Sequence, residues 1–225
     1  ALNELRNYLS MNKIDKIEGF DVSHISGEHA VASCVVFSKA GPIKKEYRLF
    51  NVPKKLSGND VGSLEHVLQR RLKYYDDPKT KPNLILIDGG KAQLKFVNKV
   101  VDDSDHGGLN VISIVKGANR IRATETIISQ NGIIELDKYS NAFLLLQEIR
   151  DEAHRFALKA QRSKKRRVIN KSELDNVKGI GNVLKTRLLK KFKSIKSIKK
   201  ASIEDLMTVP GINEKIVENI KKLKK

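Results

Sequence analysis

Cysteine is nearly missing from this 225-residue chain, with Cys34 standing alone. That excludes an internal disulfide and any zinc site built on cysteine thiolates. Cys34 falls in the alternating apolar run 32–37, where a buried strand residue is expected rather than a reactive thiol. No stretch is apolar enough to cross a membrane, and the first residues, Ala1-Leu2-Asn3-Glu4-Leu5-Arg6, lack the basic-then-apolar layout of a secretory signal. A cytoplasmic protein is the expectation. Long tracts of proline, glycine or glutamine are also missing. With 40% hydrophobic and 31% charged residues, the composition is that of a folded chain of one large or two modest domains.

Acidic residues are scarce in one region only. From Gln161 onward there are 20 lysines and arginines against 6 aspartates and glutamates, a net +14 of the chain's +18. Residues 1–160 carry the remaining +4. A basic excess confined to one segment attracts polyanions, and nucleic acid is the expected partner. A merely solubilising lysine surface is the plainer reading of the same excess. No zinc finger, no basic region flanked by heptads and only 5% aromatics point to recognition of DNA structure, such as bent or partly unpaired DNA, rather than of base sequence.

Three short runs at 16–25, 30–37 and 44–51, broken at Gly27 and at Ala40-Gly41-Pro42, read as an antiparallel meander. Helical spacing follows at 63–75, with Asn59 or Asp60 as N-cap. The uninterrupted run Leu84-Ile85-Leu86-Ile87 predicts a central strand covered on both faces. A helix at 93–101, a buried strand at 111–115 and a hairpin turning at Asn131-Gly132 come next. A long helix is predicted from Asn141 to about Arg162, with Phe143, Leu144, Leu146, Ile149, Ala153, Phe156 and Ala157 on its apolar side. The basic stretch Ser163-Lys164-Lys165-Arg166-Arg167 then reads as a linker or the frayed helix end. The remainder holds one design twice: Val177-Lys178-Gly179-Ile180-Gly181 and Val209-Pro210-Gly211-Ile212-Asn213, 32 residues apart, each ahead of an amphipathic helix. The domains expected are 1–162, a linker 163–171, and 172–225.

Two carboxylates stand in costly places. Asp21 lies between Phe20 and Val22 inside a strand, and Asp88 ends the apolar central strand; each needs a partner or a cation. Asp88-Gly89-Gly90 is also good turn chemistry without any catalysis. His154, in the segment Arg150-Asp151-Glu152-Ala153-His154-Arg155-Phe156, is the candidate third group, either metal ligand or proton carrier.

Three segments then carry a resemblance: Gly19-Phe20-Asp21-Val22-Ser23-His24-Ile25, Ile87-Asp88-Gly89-Gly90-Lys91-Ala92-Gln93-Leu94, and Arg150-Asp151-Glu152-Ala153-His154-Arg155-Phe156-Ala157. Together, and in this order, they resemble the signature segments of UvrC, the incision subunit of the bacterial excision nuclease. The resemblance implies an α/β, RNase H-like mixed sheet flanked by helices that cuts the damaged strand 5′ of a lesion, followed by a small all-α tandem helix-hairpin-helix domain. It implies that Asp21, Asp88 and His154 are the catalytic set; on the chemistry of the residues, Asp21 and Asp88 are expected to hold a metal ion, with His154 completing its shell as a ligand or activating water. Asp60 aligns with a further family acid, although its flanking residues diverge. Neither the family's N-terminal nuclease domain for the 3′ cut nor its segment docking on UvrB is recognisable here, so a C-terminal part of a longer protein is expected.

The chemistry fits a divalent metal, Mn2+ or Mg2+, held on hard carboxylate oxygens, with imidazole suiting manganese better. Lys91, at a helix start, is expected to orient or neutralise the scissile phosphate, against the plainer reading of a solvated lysine. Arg150 and Arg155 are expected to support the carboxylates or touch DNA, and Glu152 to be supporting. His24 should face away from Asp21. In the tail, Gly179, Gly181, Gly211 and Asn213 form the hairpin turns that present backbone N–H groups to phosphate, with Asn213 tolerating positive φ in place of a glycine. Lys185 and Arg187 join the basic face. The competing readings are a non-catalytic DNA-binding scaffold with a nuclease-like fold, and the archaeal and eukaryotic nucleases that also carry helix-hairpin-helix domains, whose Glu-Arg-Lys signature is not found.

Overall fold

A computed structural model describes residues 1–23, 30–115 and 125–223, with backbone alone for 164–173. The chain divides into two compact units, Ala1–Gln161 and Arg162–Lys225.

In the first unit a short helix α1 (Leu2–Tyr8) precedes β1 (Lys16–Ser23) and β2 (Val31–Ser38), which pair antiparallel from Lys16 opposite Ser38 to Ser23 opposite Val31. β3 (Gly41–Pro42) and β4 (Arg48–Asn51) both fold back on β2. This is the expected meander, except that Lys44–Glu46 is a 3-10 turn and pairing begins only at Arg48. Lys44, Lys45 and Glu46 offer no branched or aromatic side chain to a pleated surface. His24 and Ile25 lie outside the described residues.

Helix α2 (Asp60–Leu72) starts ahead of the apolar spacing because Asn59 caps it, its side chain accepting from the Gly62 N–H at 2.9 Å. β5 (Leu84–Asp88) enters parallel to β1 on one side and to β6 (Asn110–Val115) on the other, with α3 (Lys91–Asp102) making the crossover. That central position is why Leu84, Ile85, Leu86 and Ile87 are all buried. β7 (Thr126–Ser129) and β8 (Gly132–Ile134) close the mixed sheet in the order β3-β2-β1-β5-β6-β7-β8, with β4 also on β2. The hairpin turns at Gln130-Asn131 rather than Asn131-Gly132, since Ser129 pairs with Gly132. This register sets Ile127 opposite Ile134 and Ile128 opposite Ile133, and such cross-strand pairs stabilise a sheet more than the turn dipeptide directs it.

Helix α4 is assigned Asn141–Asp175, past the expected end near Arg162. No proline or glycine occurs between those residues, and lysine, arginine, glutamate and leucine all favour helix. The apolar pattern ends where burial ends, not where the helix does. Its buried stripe is Phe143, Leu146, Ile149, Ala153 and Ala157. Leu144, expected on that side, is half-exposed because it sits one step round from a stripe spaced by threes and fours.

The sheet has helices on both faces. Arg71 of α2 and Tyr75 just beyond it reach Glu18 on one face, while Ile149 of α4 lies over Gly19 on the other, as strand alternation requires. A Cβ on Gly19 would come within 2.4 Å of Ile149 Cγ2 and 3.1 Å of Val35 Cγ2. Gly19→Ala should therefore push α4 off the sheet and cost about 1–3 kcal/mol. Denaturant midpoints check this, and an unchanged midpoint would show that α4 has slack.

The second unit has its own core, around Leu174, Val177, Leu188, Ile198, Leu206 and Ile220. It contains α5 (Asn182–Phe192), α6 (Ile195–Lys200), α7 (Ile203–Met207) and α8 (Glu214–Lys222). The two copies of the hairpin lock reciprocally. Arg187 Nη1 donates to Pro210 O at 2.7 Å, and Asn219 Nδ2 donates to Lys178 O at 3.0 Å. A Cβ on Gly179 would meet Ile216 at 3.0 Å, and one on Gly211 would meet Leu184 at 3.6 Å. Each amphipathic helix thus holds the other copy's turn, so neither half buries its apolar face alone.

The turns need positive φ at Gly179 (+97°) and Gly211 (+94°), positions that favour glycine. Asn213 does not supply positive φ, contrary to the sequence reading. With φ −129° it is the N-cap of α8, and its side chain accepts from the Ile216 N–H at 3.0 Å.

Candidate active site

Asp21 is only 6% exposed, on the face of β1 beneath α4. Ser23 Oγ donates to Asp21 Oδ2 at 2.7 Å, and His154 Nδ1 lies 3.5 Å from the same oxygen. The imidazole is 54% exposed, so one edge faces the buried carboxylate while the rest of the ring meets solvent. A hydrogen bond between residues far apart in the chain holds the helix at this height. Ser33, which pairs with Asp21 across the strands, donates from Oγ to Ala153 O at 2.8 Å. The carbonyl preceding His154 is thereby pinned to the sheet beside Asp21.

Asp88 closes β5. Phe20 pairs with Ile87 in parallel register, and one residue further along Asp21 and Asp88 fall side by side. Neighbours in parallel register point to the same face. Ser113 anchors this strand end, donating to Ile87 O at 3.2 Å and to Gly89 O. The Gly90 N–H donates to Gln93 Oε1 at 2.6 Å, fixing the start of α3.

The structure thus brings Asp21 and His154 together and sets Asp88 in the adjacent register. Among the described residues, no group of three or more His, Cys, Asp or Glu is arranged to hold a metal ion. Asp60 is exposed at the start of α2, the helix that packs on the opposite face, and Lys91 is exposed as the first residue of α3. In kind, two hard carboxylates and an imidazole suit a manganese or magnesium ion.

The arginines beside His154 are engaged within the protein. Arg150 pairs with Glu125 and Asp151, and Gln147 donates to Glu125 at 2.7 Å. Arg155 grips Glu152 with two hydrogen bonds of 2.6 Å. Those bonds, helped by Tyr47, hold the Glu152 carboxyl below the usual range against its partial burial. Glu152 is supporting, as expected.

One buried cluster escaped the sequence reading. Glu18 is fully buried on the α2 face, accepting from Arg71 Nε at 3.0 Å, Tyr75 Oη at 2.6 Å and Cys34 Sγ at 3.3 Å. The available signal was an acid among apolar strand residues, with Arg71 and Tyr75 four apart on the apolar side of a helix. Burial first, and the Glu18 carboxylate second, push the Cys34 thiol well above its ordinary value. A raised pKa keeps the thiol protonated through mildly alkaline pH in the fold and releases thiolate only on unfolding. Iodoacetamide at pH 8 should leave native Cys34 unmodified and modify it fully in denaturant. Native labelling at the rate of a free thiol would contradict this burial.

In the second unit, Gly181 N-caps α5 with φ −87° and no side-chain acceptor, whereas α8 is capped by Asn213 itself. Lys185 is paired with Asp175, and Arg187 holds Pro210 O. Both serve the unit's own structure, while Lys190 and Lys193 are exposed.

The family model of the UvrC RNase H endonuclease domain matches residues 6–158, and that of the SAM-like helix-hairpin-helix tandem matches residues 171–222. Both agree with the expected α/β, RNase H-like fold followed by a helical tandem. The UvrABC system protein C of Hahella chejuensis is 41% identical over 210 residues, covering 92% of this chain and 34% of that protein. That of Actinobacillus succinogenes is 38% identical over 222 residues, covering 96% and 36%. The chain spans about a third of the length of these curated relatives. Among solved structures, the catalytic domain of human endonuclease V aligns with a TM-score of 0.44 at 14% identity, over 68% of this chain and 85% of that one.

Proposed function

The chain belongs to the UvrC family through its RNase H endonuclease domain, and on that premise we propose that it makes the 5′ incision beside a lesion in nucleotide excision repair. The reaction is hydrolysis of a phosphodiester, and the catalytic set is Asp21, Asp88 and His154. The observation that supports this reading is the half-exposed His154 set against the buried Asp21, with Asp88 on the adjoining strand one residue beyond the Phe20–Ile87 pair. A buried carboxylate is costly unless it is paired or holds a cation, and Asp21 is kept in place by Ser23 and His154 with its charge turned to the solvent-facing imidazole.

Asp21 and Asp88 would hold the divalent ion, Mn2+ or Mg2+, with His154 completing the donor set or taking the proton of the attacking water. When bound, such an ion neutralises phosphate charge and makes water a stronger nucleophile. Asp21 orients the imidazole through Nδ1, and the exposed side of the ring faces the solvent from which water arrives. Lys91, three residues beyond Asp88, would neutralise the scissile phosphate beside the open N–H groups at the start of α3. Asp60, at the start of the helix packed on the opposite face from Asp21, is proposed only as a remote acid that supports the centre from across the strand end.

Residues 172–225 would grip DNA phosphates through the two turns, with residues 163–171 joining the two domains. Because Asn213 already occupies an N–H of α8, the Gly179-Ile180-Gly181 turn is the stronger phosphate site. DNA, as a damaged duplex or partly unpaired, and UvrB are the proposed partners, and the cytoplasm the place of action.

The test is incision of a 5′-labelled lesion duplex by this chain joined behind the N-terminal part of the Hahella chejuensis relative, with the other subunits of the system present. A 5′ cut should appear with Mn2+ or Mg2+ and vanish in EDTA. A 5′ cut that persists in EDTA would remove the metal-dependent reading.

A further inference from the structure

An open groove of about 960 Å³ runs between α3 and the β7–β8 hairpin. Its floor includes Phe96, Ile128 and Ile133, and Ile133 is 63% exposed, an unusual position for a branched apolar side chain at a sheet edge. Along its rim stand Lys91, Lys95 and Lys99, all exposed. A spacing of four residues places them on one side of α3 at intervals of about 6 Å along the axis. At the far end Asp102 and Asp103 reverse the charge. At the near end Lys91 follows the candidate catalytic Asp88 by three residues.

We propose that this groove carries a short single-stranded stretch of the DNA strand being cut, two or three nucleotides leading away from the scissile phosphate. The proposal rests on the nuclease reading above. Phosphates lie along the lysine row, and unpaired bases cover the apolar floor, the combination of charged track and apolar platform that suits single strands. A duplex keeps its bases paired and has no apolar face to lay on Ile133. The acids at Asp102 and Asp103 repel further phosphates and limit the length of the track. The groove lies on the sheet face that carries Glu18 and α2, opposite to Asp21, and approaches the candidate site over the end of β5, where Lys91 follows Asp88 by three residues. That approach to the strand end, with the lysine row and apolar floor together, favours the strand being cut over an acidic peptide.

Cys34 is fully buried, so in Ile133→Cys an environment-sensitive fluorophore attaches at position 133. The labelled chain is titrated in EDTA, without turnover, with a duplex bearing a four-nucleotide single-stranded arm, with the blunt duplex and with polyglutamate. The armed duplex should shift the emission, and the blunt duplex should bind without shifting it. Lys95→Glu with Lys99→Glu should weaken the armed duplex about tenfold more than the blunt one. Replacing the same two lysines by alanine should lower the salt slope by about 1.4, at roughly 0.7 per phosphate contact on a single strand.

A silent label while the armed duplex binds, equal losses on both duplexes, or an equal shift with polyglutamate would each overturn the groove. Incision by the unlabelled protein is measured separately. If 5′ cutting persists with a silent label, the groove fails alone; if the label responds where no cutting occurs, the nuclease reading fails alone.

Discussion

Asp21→Asn should lower divalent-dependent incision by about three orders of magnitude or more, the scale on which a metal-held charge at a phosphate acts. Fold and DNA affinity should stay close to wild type. Asparagine matches the shape of aspartate, and Ser23 still finds an oxygen to donate to. Ser33 still holds Ala153 O, so α4 keeps its place over β1. What is lost is the negative charge beside His154 and next to Asp88, and with it the site for a cation. His154→Ala should cost about 10²–10⁴-fold if the ring carries the proton of the attacking water. Added imidazole should then restore part of the activity, because the ring lies open to solvent. Incision rates beside thermal melts check both variants, and a matching loss of fold and activity would reduce Asp21 to a structural residue.

Arg71→Met should destabilise the first unit by about 3–5 kcal/mol, because it strands a buried carboxylate. Glu18 is fully buried and takes two hydrogen bonds from the Arg71 guanidinium besides those from Tyr75 and Cys34. Burial works against the arginine's charge, yet the Glu18 bonds and attraction raise its pKa above the ordinary value. Glu18→Gln together with Arg71→Met should recover much of the loss, since neither variant side chain is charged. Denaturant midpoints of the single and double variants measure the coupling. If the single Arg71→Met lost under about 1 kcal/mol, the pair would be solvated in the native state rather than sealed.

The parts of the fold legible in the sequence were those dictated by periodicity and turn chemistry. The continuous run 84–87 announced a central strand, and of the two caps the sequence offers for α2, Asn59 and Asp60, the side chain of Asn59 does the capping. Asp21 stood out because a carboxylate has no cheap place between Phe20 and Val22 in a buried strand. Pairing details were less legible. The turn at Gln130-Asn131 was decided by isoleucines meeting across the hairpin, a comparison of registers that a favourable dipeptide conceals. The Glu18–Arg71 pair joins residues 53 apart in the chain, and only the packing of α2 on the sheet brings them together. Arg187 reads as one more cation in a basic tail, yet the packing of the two hairpins ties its exposed guanidinium to Pro210 O. Asn213 was read through its tolerance of positive φ, when its side-chain oxygen was the property in use.

The most direct test is incision of a lesion duplex labelled at its 5′ end, in Mn2+ or Mg2+, by the chain joined to its relative's N-terminal part, comparing wild type with Asp21→Ala, Asp88→Ala and His154→Ala. The account predicts that all three lose the 5′ cut while the 3′ cut and DNA binding persist. Full 5′ incision by the three variants would contradict it, placing the chemistry elsewhere and leaving this chain a DNA-binding scaffold.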